Sequence, residues 1–129
     1  MGQPVPTQDD VRRIALALPE TTEEPGSFRF LVAGKAFAWA WLERIEPKRA
    51  RVPNRDVVAI RIAHDLEKEA LIEMDPVALF TEPHYDGFPA ILVRLAAIDA
   101  DLLEKLIRDG WRIQAPKRLL RELDDGRRA

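Results

Sequence analysis

The chain has no cysteine, one serine, one tyrosine and two histidines among its 129 residues. Without cysteine there can be no disulfide, no thiolate nucleophile and no thiolate-held metal or cluster. The lone serine, Ser27, stands outside any Gly-x-Ser-x-Gly elbow. The six glycines are dispersed, so no glycine-rich loop cradles a phosphate. A zinc site needs about three protein ligands, more than two histidines and scattered acids supply except by chance. His84-x-Asp86 echoes part of a two-histidine, one-carboxylate iron site, but the other histidine, His64, lies upstream beside Asp65. No apolar run approaches the ~20 residues of a membrane helix. The start, Met1 to Pro6, lacks the basic residues and apolar stretch of a secretory signal. These absences lead us to expect a cytoplasmic protein that is not an enzyme and holds no metal or cofactor.

What is present is ordinary for a soluble globule: 47% hydrophobic and 33% charged residues. One domain over 1–129 is expected, monomeric, with 1–6 and 124–129 as frayed tails. The net charge of −2 opposes strong nucleic-acid binding, yet it is unevenly spread. Segment 43–56 carries Arg44, Lys48, Arg49, Arg51 and Arg55 against Glu43, Glu46 and Asp56. Segment 108–121 carries Arg108, Arg112, Lys117, Arg118 and Arg121 against Asp109.

Thr7 is a helix N-cap with Asp9 and Asp10 behind it, and Val11, Ile14, Ala15 and Leu18 form an amphipathic stripe that Pro19 ends. Thr21 to Gly26 reads as a polar loop. Phe28–Val32 and Lys35–Leu42 read as a hairpin about Ala33-Gly34. Regular pairing across that turn puts Phe30 beside Phe37 and Phe28 beside Trp39 on the buried face, with Arg29, Leu31, Ala36, Ala38 and Ala40 opposite. Trp39 and Trp41 are assigned to the core rather than to a stacking platform. Segment 43–56 is either a mobile loop or an extended hairpin. Val57–Ile62 is a third strand with Val58, Ile60 and Ile62 inward. Asp65 caps a helix from Leu66 to Asp75 whose inward face is Leu66, Ala70 and Met74, joined by Leu71. Val77–Thr81 is an edge strand, and Ala90–Leu95 a core strand with Ile91, Val93 and Leu95 inward. Asp99 caps the last long helix, with Leu102, Leu103, Leu106, Ile107 and Gly110 as its stripe, and Lys117–Leu123 is a short helix or turn. The expected fold is therefore α+β, an antiparallel five-stranded sheet with helices on one face, in the order α-β-β-β-α-β-β-α.

Between the last two strands lies Pro83-His84-Tyr85-Asp86-Gly87-Phe88-Pro89, where Asp-Gly specifies a tight turn and the prolines stiffen the approach. His84 and Asp86 are expected to bond the loop backbone and fix the turn. Strand parity puts Arg29, Arg61 and Arg94 on the solvent face around small alanines, a surface suited to an anion. Lys35, His84, Tyr85 and Asp86 complete the candidate ligand residues.

Phe30 with Gly34-Lys35-Ala36-Phe37-Ala38-Trp39, the run Pro83 to Ala90 with Val93-Arg94-Leu95, and Trp111 with Ala115-Pro116-Lys117-Arg118 together resemble the MmcQ/YjbR family. The resemblance runs from about Thr7 to about Leu123, with 43–56 its least typical part. It implies a small α+β fold similar to secretion-chaperone-like domains. It also implies the family's label of a predicted DNA-binding protein with a "double wing" motif. On that label the candidate nucleic-acid residues are Lys48, Arg49, Arg51, Lys117 and Arg118. The alternative is a module for a protein or small anion on the arginine-bearing sheet face.

Overall fold

The protein is described by a computed structural model covering residues 5–43, 47 and 49–128, with the backbone alone for 124–128. In chain order the elements are α1 (Gln8–Leu16), β1 (Thr21–Glu24), β2 (Arg29–Val32), β3 (Lys35–Glu43), β4 (Val52–Arg61), α2 (Glu67–Met74), β5 (Leu79–Phe80), a single 3-10 turn (Pro83–Tyr85), β6 (Ala90–Arg94), α3 (Ala100–Gln114) and α4 (Lys117–Arg128). The described strands form one antiparallel sheet in the order β1-β2-β3-β4-β6-β5. It has six strands, not five, because Thr21–Glu24 pairs with β2 as an edge strand. Its polarity suggested a loop, but an edge strand needs only one bonded side and keeps charge where water reaches it. The final helix also runs on to Arg128 instead of ending at Leu123.

Local chemistry sets the turns. Ala33 and Gly34 both have positive φ, 51° and 78°, the geometry of a two-residue turn whose twist matches the flanking strands. The Asp99 carboxylate accepts from the N–H groups of Asp101 and Leu102 and starts α3. Phe30, Phe37, Val58, Ile60, Ile91, Val93, Leu103, Ile107 and Trp111 fill the core between sheet and helices. Gly110 lets α3 lie directly on the sheet. A Cβ there would come within 3.0 Å of the Arg61 carbonyl oxygen and 3.1 Å of the Phe37 carbonyl oxygen.

Two irregularities overturn the expected faces of the hairpin. Leu31 pairs with Ala36 but Phe30 pairs with Ala38, so Phe37 is an extra residue in β3. This bulge turns Phe37 and Ala38 both into the helix-side core and sends Trp39 to the other face, across from Arg29. Phe28 adopts a left-handed φ of 46° ahead of β2 and packs edge-on against Phe30 on the helix side, away from Trp39. Farther along, Ala40 pairs with Val58 and Trp41 with Asn54, so β4 bends over residues 55–57. Beyond that bend β3 and β4 continue as an extended hairpin; its residues 44–46 and 48 lie outside those described.

Helix α2 also turns a different face from the one expected. Leu66 is 88% exposed and Met74 57% exposed, whereas Leu71 and Ile72 pack on the core. The buried residue of α2 is Lys68, whose ammonium bonds the Tyr85 carbonyl oxygen and pairs with Asp65. Asp65 thus holds a lysine instead of capping the helix; Leu66 occupies the N-cap without a side-chain bond. Burying an ammonium is tolerable only when it is paired, and those two partners set how the short helix is rotated.

Candidate functional site

The face that Trp39 joins is covered by one loop instead of helices. Val57, Ala59, Ala90 and Leu92 form its floor, with Tyr85 packed over them and Trp39, Trp41 and Phe80 around the edge. The loop holds its shape through its own backbone. The N–H of Tyr85 donates to Glu82, that of Asp86 to Pro83, that of Phe88 to Tyr85 and that of Ala90 to Phe88. Asp86 at φ −60°, ψ 126° followed by Gly87 at φ 80° is a type II turn, which needs glycine at its third position. Among the described residues, neither the His84 imidazole nor the Asp86 carboxylate hydrogen-bonds this loop, against expectation; the backbone and Lys68 fix it.

Beside the loop a groove of about 780 Å³ opens along β3. It is lined by Trp39, Tyr85, Phe88 and His84, by the β1–β2 turn with Glu24 and Arg29, and by Arg51 and Arg61. The Trp39 Nε1–H donates to the Tyr85 hydroxyl oxygen at 3.1 Å. Phe88 stands edge-on to Trp39 with centroids 6.1 Å apart, and His84 edge-on to Tyr85 at 5.4 Å. Burial pushes the Tyr85 phenol above its ordinary value, the Trp39 bond partly opposing this, so Tyr85 remains a neutral hydroxyl at physiological pH. Because its oxygen accepts from Trp39, its own O–H is left to donate.

The guanidinium groups of the groove differ in their engagement. Arg51 donates to the Leu42 carbonyl at 2.9 Å and lies 3.9 Å from Glu82. Arg29 lies 3.7 Å from Glu24. Arg61 bonds the Ile62 carbonyl through Nε at 3.1 Å and has no carboxylate partner among the described residues.

Of the candidate ligand residues, the groove collects Arg29, Arg61, His84 and Tyr85. It leaves out Lys35, exposed at the hairpin turn, and Asp86, exposed at the loop tip. Arg94 is also left out: its guanidinium lies 3.9 Å over the Phe80 ring and donates to the Val77 carbonyl at 3.0 Å. The sheet face is therefore not an open surface with three arginines around alanines. The candidate nucleic-acid residues do not line one site. Arg51 belongs to the groove, Lys48 lies outside the described residues, and Arg49 and Lys117 are exposed but do not line the groove. Arg118 is held by both oxygens of Glu20, at 2.7 and 3.0 Å. Sequence reasoning missed Trp39 and Phe88 as groove walls and Lys68 as the loop's anchor. A large aromatic held between Gly87 and Pro89 in a turn was the one available signal for Phe88.

The family model YjbR matches residues 16–113. The chain belongs to the YjbR family. Uncharacterized proteins of Mycobacterium tuberculosis and Mycobacterium bovis are each 42% identical to this YjbR chain over 121 residues, covering 88% of it and 92% of their own length. The crystal structure of a Deinococcus radiodurans protein with a DUF419 domain superposes with a TM-score of 0.64 at 18% identity, covering 96% of this chain and 92% of that one. That likeness shows the α+β fold. Among the described residues no helix is long and apolar enough to cross a membrane, and no three acidic or histidine side chains gather as a metal site.

Proposed function

We propose that this YjbR protein is a non-enzymatic binding module that takes a small anionic ligand in the groove beside β3. The observation that carries this is the convergence of Arg29, Arg51 and Arg61 on one concavity walled by Trp39, Tyr85 and Phe88. A volume of about 780 Å³ is in the range of small-molecule sites, ~300–1,000 Å³. A site of this kind recognises by charge and shape. Its hydroxyl and imidazole groups, Ser27, Tyr85 and His84, are not bonded to one another as a nucleophile and its base would be. The cytoplasmic setting expected from the composition accompanies this reading.

The test is a nitrogen-15 NMR titration with millimolar phosphate, citrate and adenosine monophosphate. The Trp39 indole and the backbone of 84–88 should shift with at least one of them. Absence of any shift at the groove overturns the reading.

Duplex DNA is the second reading, favoured by the extended β3–β4 hairpin, with Arg51 just before its second strand and Arg55 on it. With a net charge of −2, contacts of this kind would be weak and insensitive to sequence, with a Kd of about 10⁻⁴–10⁻⁶ M at physiological salt. Fluorescence anisotropy with a labelled duplex at low salt checks it. Replacing Arg49 and Arg51 with Ala should lower the salt slope by about one unit per lost phosphate contact, and Lys117 and Arg118 likewise.

A further inference from the structure

We infer, resting on the groove reading above, that the ligand is an aromatic phosphate: a planar ring lying against Trp39 and Phe88, with its phosphate between Arg29 and Arg61. The sheet register places the cations. Arg29 is directly across from Trp39 on β2, while Ala59 is across from it on β4, with Arg61 two residues farther along on the same face. Two strand spacings and the two-residue offset along β4 put the arginine backbones about 12 Å apart, on a diagonal that passes beside Trp39. Their long side chains can therefore approach one group over Trp39 from two sides.

Two separate guanidiniums and the Tyr85 hydroxyl present donors from different directions. A planar carboxylate is matched by a single bidentate fork, whereas a tetrahedral phosphate offers oxygens to several donors at once. Arg61, having no carboxylate partner among the described residues, contributes uncompensated positive charge. The phenol adds a neutral donor, since its oxygen already accepts from Trp39.

The ring requirement comes from the aromatic wall and from size. Phe88 is 46% exposed, an apolar side chain left in water beside cations. Its edge-on packing on Trp39 makes a corner that a flat ring can cover, and arginine also favours aromatic faces. At about 780 Å³ the groove far exceeds a bare oxyanion, which would leave most of it wet and Phe88 uncovered. A ring carrying phosphate neutralises the cations and covers the aromatic corner together. Such a ligand is either a free nucleotide or an unpaired base with its phosphate in a single strand.

Isothermal titration calorimetry on the full chain with adenosine monophosphate, adenosine and inorganic phosphate tests this. Adenosine monophosphate should bind, and each half alone should bind at least about tenfold more weakly. Phe88→Ala and Arg61→Gln should each weaken adenosine monophosphate by at least about tenfold. Phe88 is exposed, so that variant stays folded even if Arg61→Gln does not; Arg29→Gln, also at an exposed position, is the second charge variant. An adenosine octanucleotide that binds more tightly than the monophosphate identifies a single strand as the source. Equal or weaker binding identifies the free nucleotide; both outcomes support the shared chemistry. Inorganic phosphate binding as tightly as the nucleotide, with Phe88→Ala unchanged, overturns the aromatic requirement and leaves the anion groove standing. No heat with any of these ligands overturns both.

Discussion

One sheet presents two faces, and they are finished by different means. On one, α1 and α3 lie against β-branched and aromatic residues, and Trp111 is fully buried with its indole N–H bonded to the Pro19 carbonyl at 3.1 Å. On the other, among the described residues, a proline-bounded loop covers Val57, Ala59, Ala90 and Leu92 and leaves Trp39 half-buried beside a groove. Helices bring long apolar stripes and leave no room between layers. A short loop buries one large ring, Tyr85, against the face and leaves the rest as concave surface edged by Phe88. The helix side is therefore where stability is expected to reside, and the loop side is where a ligand finds both space and unmatched charge.

The sharpest way to break this contrast is to truncate both indoles. Trp111→Ala should cost about 3–5 kcal/mol, since it empties a closed core. Trp39→Ala should cost clearly less, because water already reaches that indole. Guanidinium unfolding measures both, and equal losses would show that the faces are not energetically distinct.

Gly110→Val tests the close approach of α3 to the sheet. The added carbons meet two backbone carbonyl oxygens of the sheet, which cannot swing aside as a side chain can, so overpacking should cost about 1–3 kcal/mol despite relief of a mid-helix glycine.

Lys68→Met examines what holds the loop over the second face. It keeps the apolar stem and leaves the Tyr85 carbonyl oxygen without its ammonium donor, a loss of about 1–2 kcal/mol. Amide exchange at 84–88 should accelerate more than exchange in α3. A uniform change would mean that Lys68 supports the whole fold and has no particular role at the loop.

A smaller effect concerns Tyr85, the chain's only tyrosine, so phenolate absorbance reports it alone. Its folded value lies above 10.0, first because of burial. Folding therefore holds the proton more tightly than the unfolded chain does. That contribution to stability is fully present below pH 10.0 and fades as pH rises through the raised folded value. A spectroscopic midpoint at or below 10.0 would show that the ring is not shielded. The smallest effect is expected from Arg118→Ala, whose partner Glu20 is also exposed on the surface; its melting temperature should stay close to that of the parent.

The elements set by local chemistry were legible in the sequence. Ala33-Gly34 makes its hairpin turn, Asp86-Gly87 its type II turn and Asp99 its cap, because each depends on residues only two or three positions apart. The inward sets Val58, Ile60, Ile62 and Ile91, Val93, Leu95 also follow from alternation alone, and all six are in the helix-side core. Of the candidate site, Arg29, Arg61, His84 and Tyr85 could be named, but not the walls between them.

What alternation alone could not decide was decided by pairing across the chain. Phe37 is an extra residue only relative to its partner β2, and that one-residue slip exchanges the face of everything after it, Trp39 included. Thr21–Glu24 becomes a strand only because β2 offers it an edge. Lys68 turns inward only because the Tyr85 carbonyl, seventeen residues away, is there to receive it. Local sequence sufficed for α1, α3, the turns and most of the core, since those free energies are settled within a few residues. The tertiary structure alone decided that a tryptophan, a phenylalanine and three arginines share a groove, since bulges, edges and buried charges take their energies from residues far away in the chain.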